Sequence, residues 1–151
     1  MSLILICLLS FAAPVFANTN EQNEPKAVAV FKVGAGKYVV NDLIKEDAAP
    51  YIKNGRTYLP IRYVAYALGI GDNSIAWDDD SETVYLVKNG EIMKVKVGGG
   101  ISLGNRQVST DAPPEISQGR AMLPLRAVAE AFGCKVNWDN DTQKVFLYVN
   151  P

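Results

Sequence analysis

The sequence predicts an α+β fold of antiparallel β hairpins wrapped around one short helix per unit, with two such units forming one compact body. Three observations carry that expectation. Residues 33–69 (VGAGKYVVNDLIKEDAAPYIKNGRTYLPIRYVAYALG) realign on 97–133 (VGGGISLGNRQVSTDAPPEISQGRAMLPLRAVAEAFG) without a gap. Each copy then reaches a Trp-Asp turn and an apolar strand, IAWDDDSETVYLV at 75–87 and VNWDNDTQKVFLYV at 136–149. Strand alternation punctuated by Gly and Asn dominates, and helical spacing appears only once per copy. The two units span about 27–90 and 91–151.

Each unit opens with an alternating strand, Val28 to Val33 and Ile92 to Val97. Gly34/Gly36 and Gly98/Gly100 supply a turn, and a short return strand ends near Asn41 or Asn105. Asp47–Pro50 and Asp111–Pro114 read as Pro-limited loops. Asn54-Gly55 marks a hairpin between Tyr51-Ile52-Lys53 and Arg56-Thr57-Tyr58, and Gln118-Gly119 holds the same place in the second copy.

A short helix follows in each copy. Pro60 and Pro124 suit a first helical position, where the missing N–H costs nothing. Ile61, Val64, Ala65 and Leu68 share a face, as do Leu125, Val128, Ala129 and Phe132. Gly69 and Gly133 are placed to end the helices. Strands at Ile75–Trp77 and Lys135–Trp138, acidic turns at Asp78–Ser81 and Asp139–Thr142, and return strands at Thr83–Val87 and Lys144–Val149 complete the units. Residues 84–95 form one hairpin that carries the first unit directly into the second.

Ahead of the units, Leu3 to Phe16 is a mostly apolar run and Val15-Phe16-Ala17 ends it with small residues at the positions a signal peptidase reads. The expectation is a signal peptide over 1–17 with cleavage after Ala17, then a disordered linker at 18–26. The run is short for a transmembrane helix, so no membrane span is expected after cleavage; no Lys or Arg precedes it, and an uncleaved anchor is the alternative. Cleavage leaves Cys134 as the only cysteine, which excludes an intramolecular disulfide. Its position after Gly133, where the first copy has Ile70, reads as a small buried apolar residue.

The 151 residues are 48% hydrophobic, with a net charge of -1 and no basic stripe, which argues against nucleic acid as a partner. There is no histidine, no cysteine pair and no phosphate-cradling Gly loop before a long helix, so the expectation is no catalytic residue, no metal and no cofactor. Arg62 and Arg126, in the first helical turn, oppose the helix dipole and call for a carboxylate, with Asp47/Asp111 and Asp78/Asp139 as candidates. An Arg stapling helix to loop is the structural reading; an Arg offered to an anionic ligand is the functional one. Trp77 and Trp138 end strands beside acidic turns, where a Trp closes a small core or stacks on a sugar. Asp78-Asp79-Asp80 and Asp139-Asn140-Asp141 offer oxygen ligands for calcium, yet lack the Gly and distant Glu of an EF-hand loop.

NGRTYLPIRYVA at 54–65 with Gly69 and Trp77-Asp78, and QGRAMLPLRAVAEAFG at 118–133 with Trp138-Asp139, resemble the repeat of the copper amine oxidase-like N-terminal, or stalk, domain. The resemblance covers roughly residues 27–149 and rests on Gly55, Arg56, Pro60, Gly69 and Asp78 in the first copy and Gly119, Arg120, Pro124, Gly133 and Asp139 in the second. It implies a sheet curled around a helix in a module that does not hold the oxidases' copper. It also implies a bacterial origin and a place in secreted or envelope proteins. The expected function is a secreted, non-catalytic envelope module that binds a cell-wall glycan or an envelope protein, with Trp77, Trp138, Arg62 and Arg126 as candidate binding residues. The alternative is a structural spacer or assembly subunit that pairs through strand edges, with no small ligand. A small hydrolase using carboxylates is a weaker third reading. Oligomeric state is left open.

Overall fold

Paired left-handed residues set the hairpins. Asn54 and Gly55, Asn89 and Gly90, and Gln118 and Gly119 all have positive φ, which makes each pair a two-residue turn whose twist matches the flanking strands. Asn41 and Asp42 do the same with φ of 49° and 64° and no glycine, because short polar side chains tolerate the left-handed region. That turn creates a strand the sequence reading left unassigned.

The computed structural model describes residues 27–149; the expected leader, linker and Cys7 lie outside the described residues. The first half runs β1 (Ala29–Lys32), β2 (Lys37–Val40), β3 (Leu43–Glu46), β4 (Tyr51–Lys53), β5 (Arg56–Pro60), α1 (Ile61–Ala67), a single 3-10 turn at Asp72–Ser74, β6 (Ile75–Asp78) and β7 (Thr83–Lys88). The second runs β8 (Glu91–Lys96), β9 (Ile101–Leu103), β10 (Arg106–Val108), β11 (Glu115–Ser117), β12 (Arg120–Pro124), α2 (Leu125–Ala131), β13 (Cys134–Asp139) and β14 (Lys144–Val149).

Each half lends its last hairpin to the other. One sheet has the order β13-β14-β1-β2-β3 and another β10-β9-β8-β7-β6, so both mix strands from the two halves. The third, β11-β12-β5-β4, joins one hairpin from each. At its centre Leu59 lies opposite Leu123, flanked by Tyr58 opposite Pro124 and Pro60 opposite Met122. Both leucines are fully buried, and each contributes about 1.5–3 kcal/mol of apolar transfer. Every pairing is antiparallel, and with two short helices the protein is α+β in one compact body.

One apolar cluster draws on all three sheets and both helices, including Phe31, Val64, Leu86, Met93, Ile101, Val128 and Leu147. The opposite face of the central sheet is closed by Ala48, Tyr58 and Met122 beneath the Pro-limited loops. Helix α1 packs on β5, β12 and β2, and α2 on β5, β12, β13 and β10. At seven residues each, neither helix persists without this packing.

Two local readings shift by a residue. Pro60 and Pro124 do not begin the helices; they close β5 and β12 and flank helices that start at Ile61 and Leu125. Pro60 has ψ of 124°, an extended backbone that keeps it in register with Met122. Gly69 and Gly133 do follow the helices with φ of 77° and 72°. After α1 the N–H of Ile70 donates to Ala65 O (2.9 Å) and that of Gly69 to Tyr66 O (3.0 Å), the paired bonds of a Schellman stop.

Candidate functional site

The Arg that follows the turn glycine in each hairpin clasps the loop of the opposite half. Arg120 Nε lies 2.8 and 3.0 Å from the two carboxylate oxygens of Asp47. Arg56 Nε donates to Asp111 at 2.7 Å, with its Nη2 on the second oxygen. Gln118 adds an amide clamp, accepting from Ala49 N (3.2 Å) and donating to Ala49 O (3.1 Å). Tyr51 and Lys53 both donate to Glu115, and these hydrogen bonds, that from Lys53 foremost, hold the Glu115 carboxyl below its usual range.

This overturns the partners expected for Arg62 and Arg126. The loop carboxylates Asp47 and Asp111 are taken by Arg120 and Arg56. Asp78 and Asp139 fold back on their own turns: Asp78 accepts from Asp80 N (3.1 Å) and Ser81 Oγ (2.6 Å), and Asp139 from Asp141 N (3.0 Å) and Thr142 Oγ1 (2.6 Å). The hydroxyls of Ser81 and Thr142 are the main cause of carboxyls held below their usual range. In both turns these contacts are ordinary Asx geometry. Arg62 and Arg126 are exposed and make no hydrogen bond or ion pair among the described residues.

The tryptophans do not close the core. Trp77 is 44% and Trp138 40% exposed. Trp138 keeps the inward parity of Cys134 and Val136 along β13 but stands past the end of the apolar cluster. There it walls a cleft of about 340 Å³. Arg126 and Leu125 from the start of α2, Ile52 and Arg56 from the first half's hairpin, and Asn140 and Gln143 from the β13–β14 turn complete it. Walls from both halves meet here because β5 pairs with β12 and the β13–β14 hairpin sits against the first half. Trp138 and Arg126 are thus brought together. Trp77 and Arg62 lie outside this cleft, and the Trp77 indole N–H is tied to Asp79.

Chemically the cleft pairs an aromatic face with two amide side chains and a guanidinium that has no hydrogen-bond or ion-pair partner among the described residues. Gln143 Nε2 donates to Asn140 O (2.7 Å), which fixes the turn. Among the described residues no carboxylate lines it. Sequence reasoning singled out Trp138 and Arg126 but missed the clasp residues Arg56 and Arg120 as cross-half links; their signal was recurrence directly after the turn glycine in both copies.

Among the described residues no group of three His, Cys, Asp or Glu side chains is placed to hold a metal ion, and no helix is long and apolar enough to cross a membrane. Fold and cleft together define an antiparallel β module of two interlocked halves, with side chains of both lining the Trp138 cleft. The chain belongs to the copper amine oxidase N-terminal domain family, whose model matches residues 27–147. In the oxidases that domain is a non-catalytic stalk module. Comparisons with curated proteins and with solved structures returned no match.

Proposed function

We propose that this chain is a secreted, non-catalytic module of the bacterial cell envelope that holds a wall polysaccharide in the Trp138 cleft. The observation that carries the reading is the half-exposed Trp138 indole in a cleft shared with Arg126, which is unpaired among the described residues. A flat aromatic face supplies apolar contact to the C–H face of a pyranose at little entropic cost, and flanking amides orient hydroxyl groups. The apolar run at Leu3–Phe16 supports export. Co-sedimentation of the purified protein with isolated sacculi tests it. Saturable binding that Trp138→Ala weakens and Trp77→Ala spares is expected, both variants being checked for folding by circular dichroism. Absence of binding at high wall excess sinks the reading.

A second reading has its own observation. Strand β3 is a sheet edge on which Leu43 is 59% and Ile44 77% exposed. Unpaired edge N–H and C=O groups beside exposed apolar side chains template pairing with another chain. An assembly subunit working this way sediments as an oligomer that Ile44→Lys dissociates; a monomer at high concentration rejects it.

A further inference from the structure

The sequence places the same framework around both tryptophans, yet the charges beside them differ. Asn140 and Gln143 beside Trp138 have Asp79 and Glu82 as their counterparts beside Trp77. The backbone there is alike: Glu82 and Gln143 are both left-handed, with φ of 49° and 54°. The Glu82 carbonyl accepts from Val97 N (2.9 Å) and the Gln143 carbonyl from Val33 N (3.0 Å), so each turn docks on the other half in the same way. What changes is the electrostatics. Near Trp77 the Asp79 carboxylate already holds the indole N–H. In the Trp138 cleft that N–H makes no hydrogen bond among the described residues, and the lining carries two guanidiniums and no carboxylate. Of the two, Arg56 is committed to Asp111, while Arg126 is not committed. On its far side Arg126 borders a shallower hollow with Glu130 and Asp111, but makes no bond to either.

We infer that the Trp138 cleft takes an acidic glycan, a pyranose chain bearing carboxylates, and that its counterpart at Trp77 takes none, so that the chain binds one such segment. This rests on the cleft reading above and narrows it. A cationic cleft on a chain of net charge -1 is a local arrangement, and a planar guanidinium beside an indole matches a carboxylate carried on a stacked sugar ring. Phosphate on an acyclic polyol chain offers no ring face for Trp138. Putting Asp and Glu at the rim repels the same ligand, which is why the first half is silent.

The test is calorimetric titration with oligogalacturonate and with its methyl ester, which keeps the sugar backbone and removes the charge. The acid is expected to bind at one site per chain, and the ester at least roughly tenfold more weakly. Arg126→Gln and the double change Asn140→Asp with Gln143→Glu each reproduce that loss with the fold intact, and Arg62→Gln does not. The reverse change, Asp79→Asn with Glu82→Gln, creates a second, weaker site. Equal binding of acid and ester, or no binding of either, overturns the acidic-ligand assignment; if Trp138→Ala still abolishes sacculus binding, the cleft itself stands. Two sites in the unaltered chain, or equal losses from Arg62→Gln and Arg126→Gln, overturn the assignment to a single half.

Discussion

Asp47 and Asp111 occupy the same place in the two copies and clasp an equivalent arginine, yet removing them should have unequal consequences. The Asp47 side chain is 12% exposed, whereas that of Asp111 is 64% exposed. Asp47 accepts from Arg120 and also from the backbone N–H of Ala48 at 2.8 Å. Truncating it leaves a partly buried N–H and a guanidinium without their acceptor, a loss of about 2–3 kcal/mol for bonds to a charged group. Asp111 holds Arg56 in solvent, where screening and side-chain entropy leave at most about 1 kcal/mol. At about 4 °C per kcal/mol for a domain of this size, Asp47→Ala should lower Tm by about 8–12 °C and Asp111→Ala by less than about 4 °C. Urea and thermal melts at pH 7 measure both, and 0.5 M NaCl should shrink only the Asp111 effect. Equal losses would refute the claim that burial, and not the ion pair as such, sets the energy.

Acid adds an independent check. Burial raises the Asp47 pKa, but the Arg120 hydrogen bond, the Ala48 N–H and the Arg120 charge outweigh it and hold the carboxyl below its usual value. A group whose folded pKa is depressed contributes stability above its unfolded pKa and loses it as pH falls through the folded one. The loss therefore begins near pH 4 and deepens below it. Asp47→Asn should flatten that part of the stability profile, and an unchanged acid limb would exclude Asp47 as a contributor.

Leu59→Ala and Leu123→Ala each leave a cavity at the centre of the shared sheet, where both side chains are fully buried, and should cost about 2–5 kcal/mol in urea melts. Arg126→Met should stay within about 0.5 kcal/mol of the parent, because the side chain is exposed and unpaired among the described residues; a large loss would restore the helix-to-loop staple. Cys134 is 8% exposed, and burial pushes its thiol pKa up against the weaker opposing charge of Lys88. It should resist a disulfide reagent in the folded protein and react on adding urea, so rapid labelling under native conditions would contradict the packing around β13.

Local chemistry made the turns and helices readable. Asn54-Gly55 and Gly69 need left-handed backbone, and their neighbours carry the matching apolar spacing. The partnership of the strands was less accessible, because both copies present similar apolar faces and a repeat does not say which copy a strand joins. The Asn89-Gly90 turn decides it. A two-residue turn forces β8 beside β7, which commits β6 and β7 to the second half and leaves the edge of β1 for β14. Strands β3 and β10 are less legible because both are sheet edges with mostly exposed side chains, so neither carries a core-facing apolar alternation. The tryptophans carry core parity in sequence; their exposure depends on where the apolar cluster ends, which only the assembled sheets define.

Interlocking explains how one half can change its surface without loosening the whole. The residues that hold the exchange together, Leu59 and Leu123, Arg56 and Arg120, Asp78 and Asp139, are the same in both halves, and each acts on a strand, turn or loop the fold requires. Asp79, Asn140 and Glu82 are exposed and Gln143 is half-buried, and the carbonyls that dock the turns belong to the backbone. Side-chain charge at these positions therefore has little leverage on stability, typically within about 0.5 kcal/mol for surface sites. It has full leverage on a ligand beside Trp138, because Asn140 and Gln143 line the same cleft as the indole and Arg126. Two halves with one framework and an acidic rim on the first alone are what a single-sited binding module requires, whereas a spacer that used only its strand edges would place no demand on the rim.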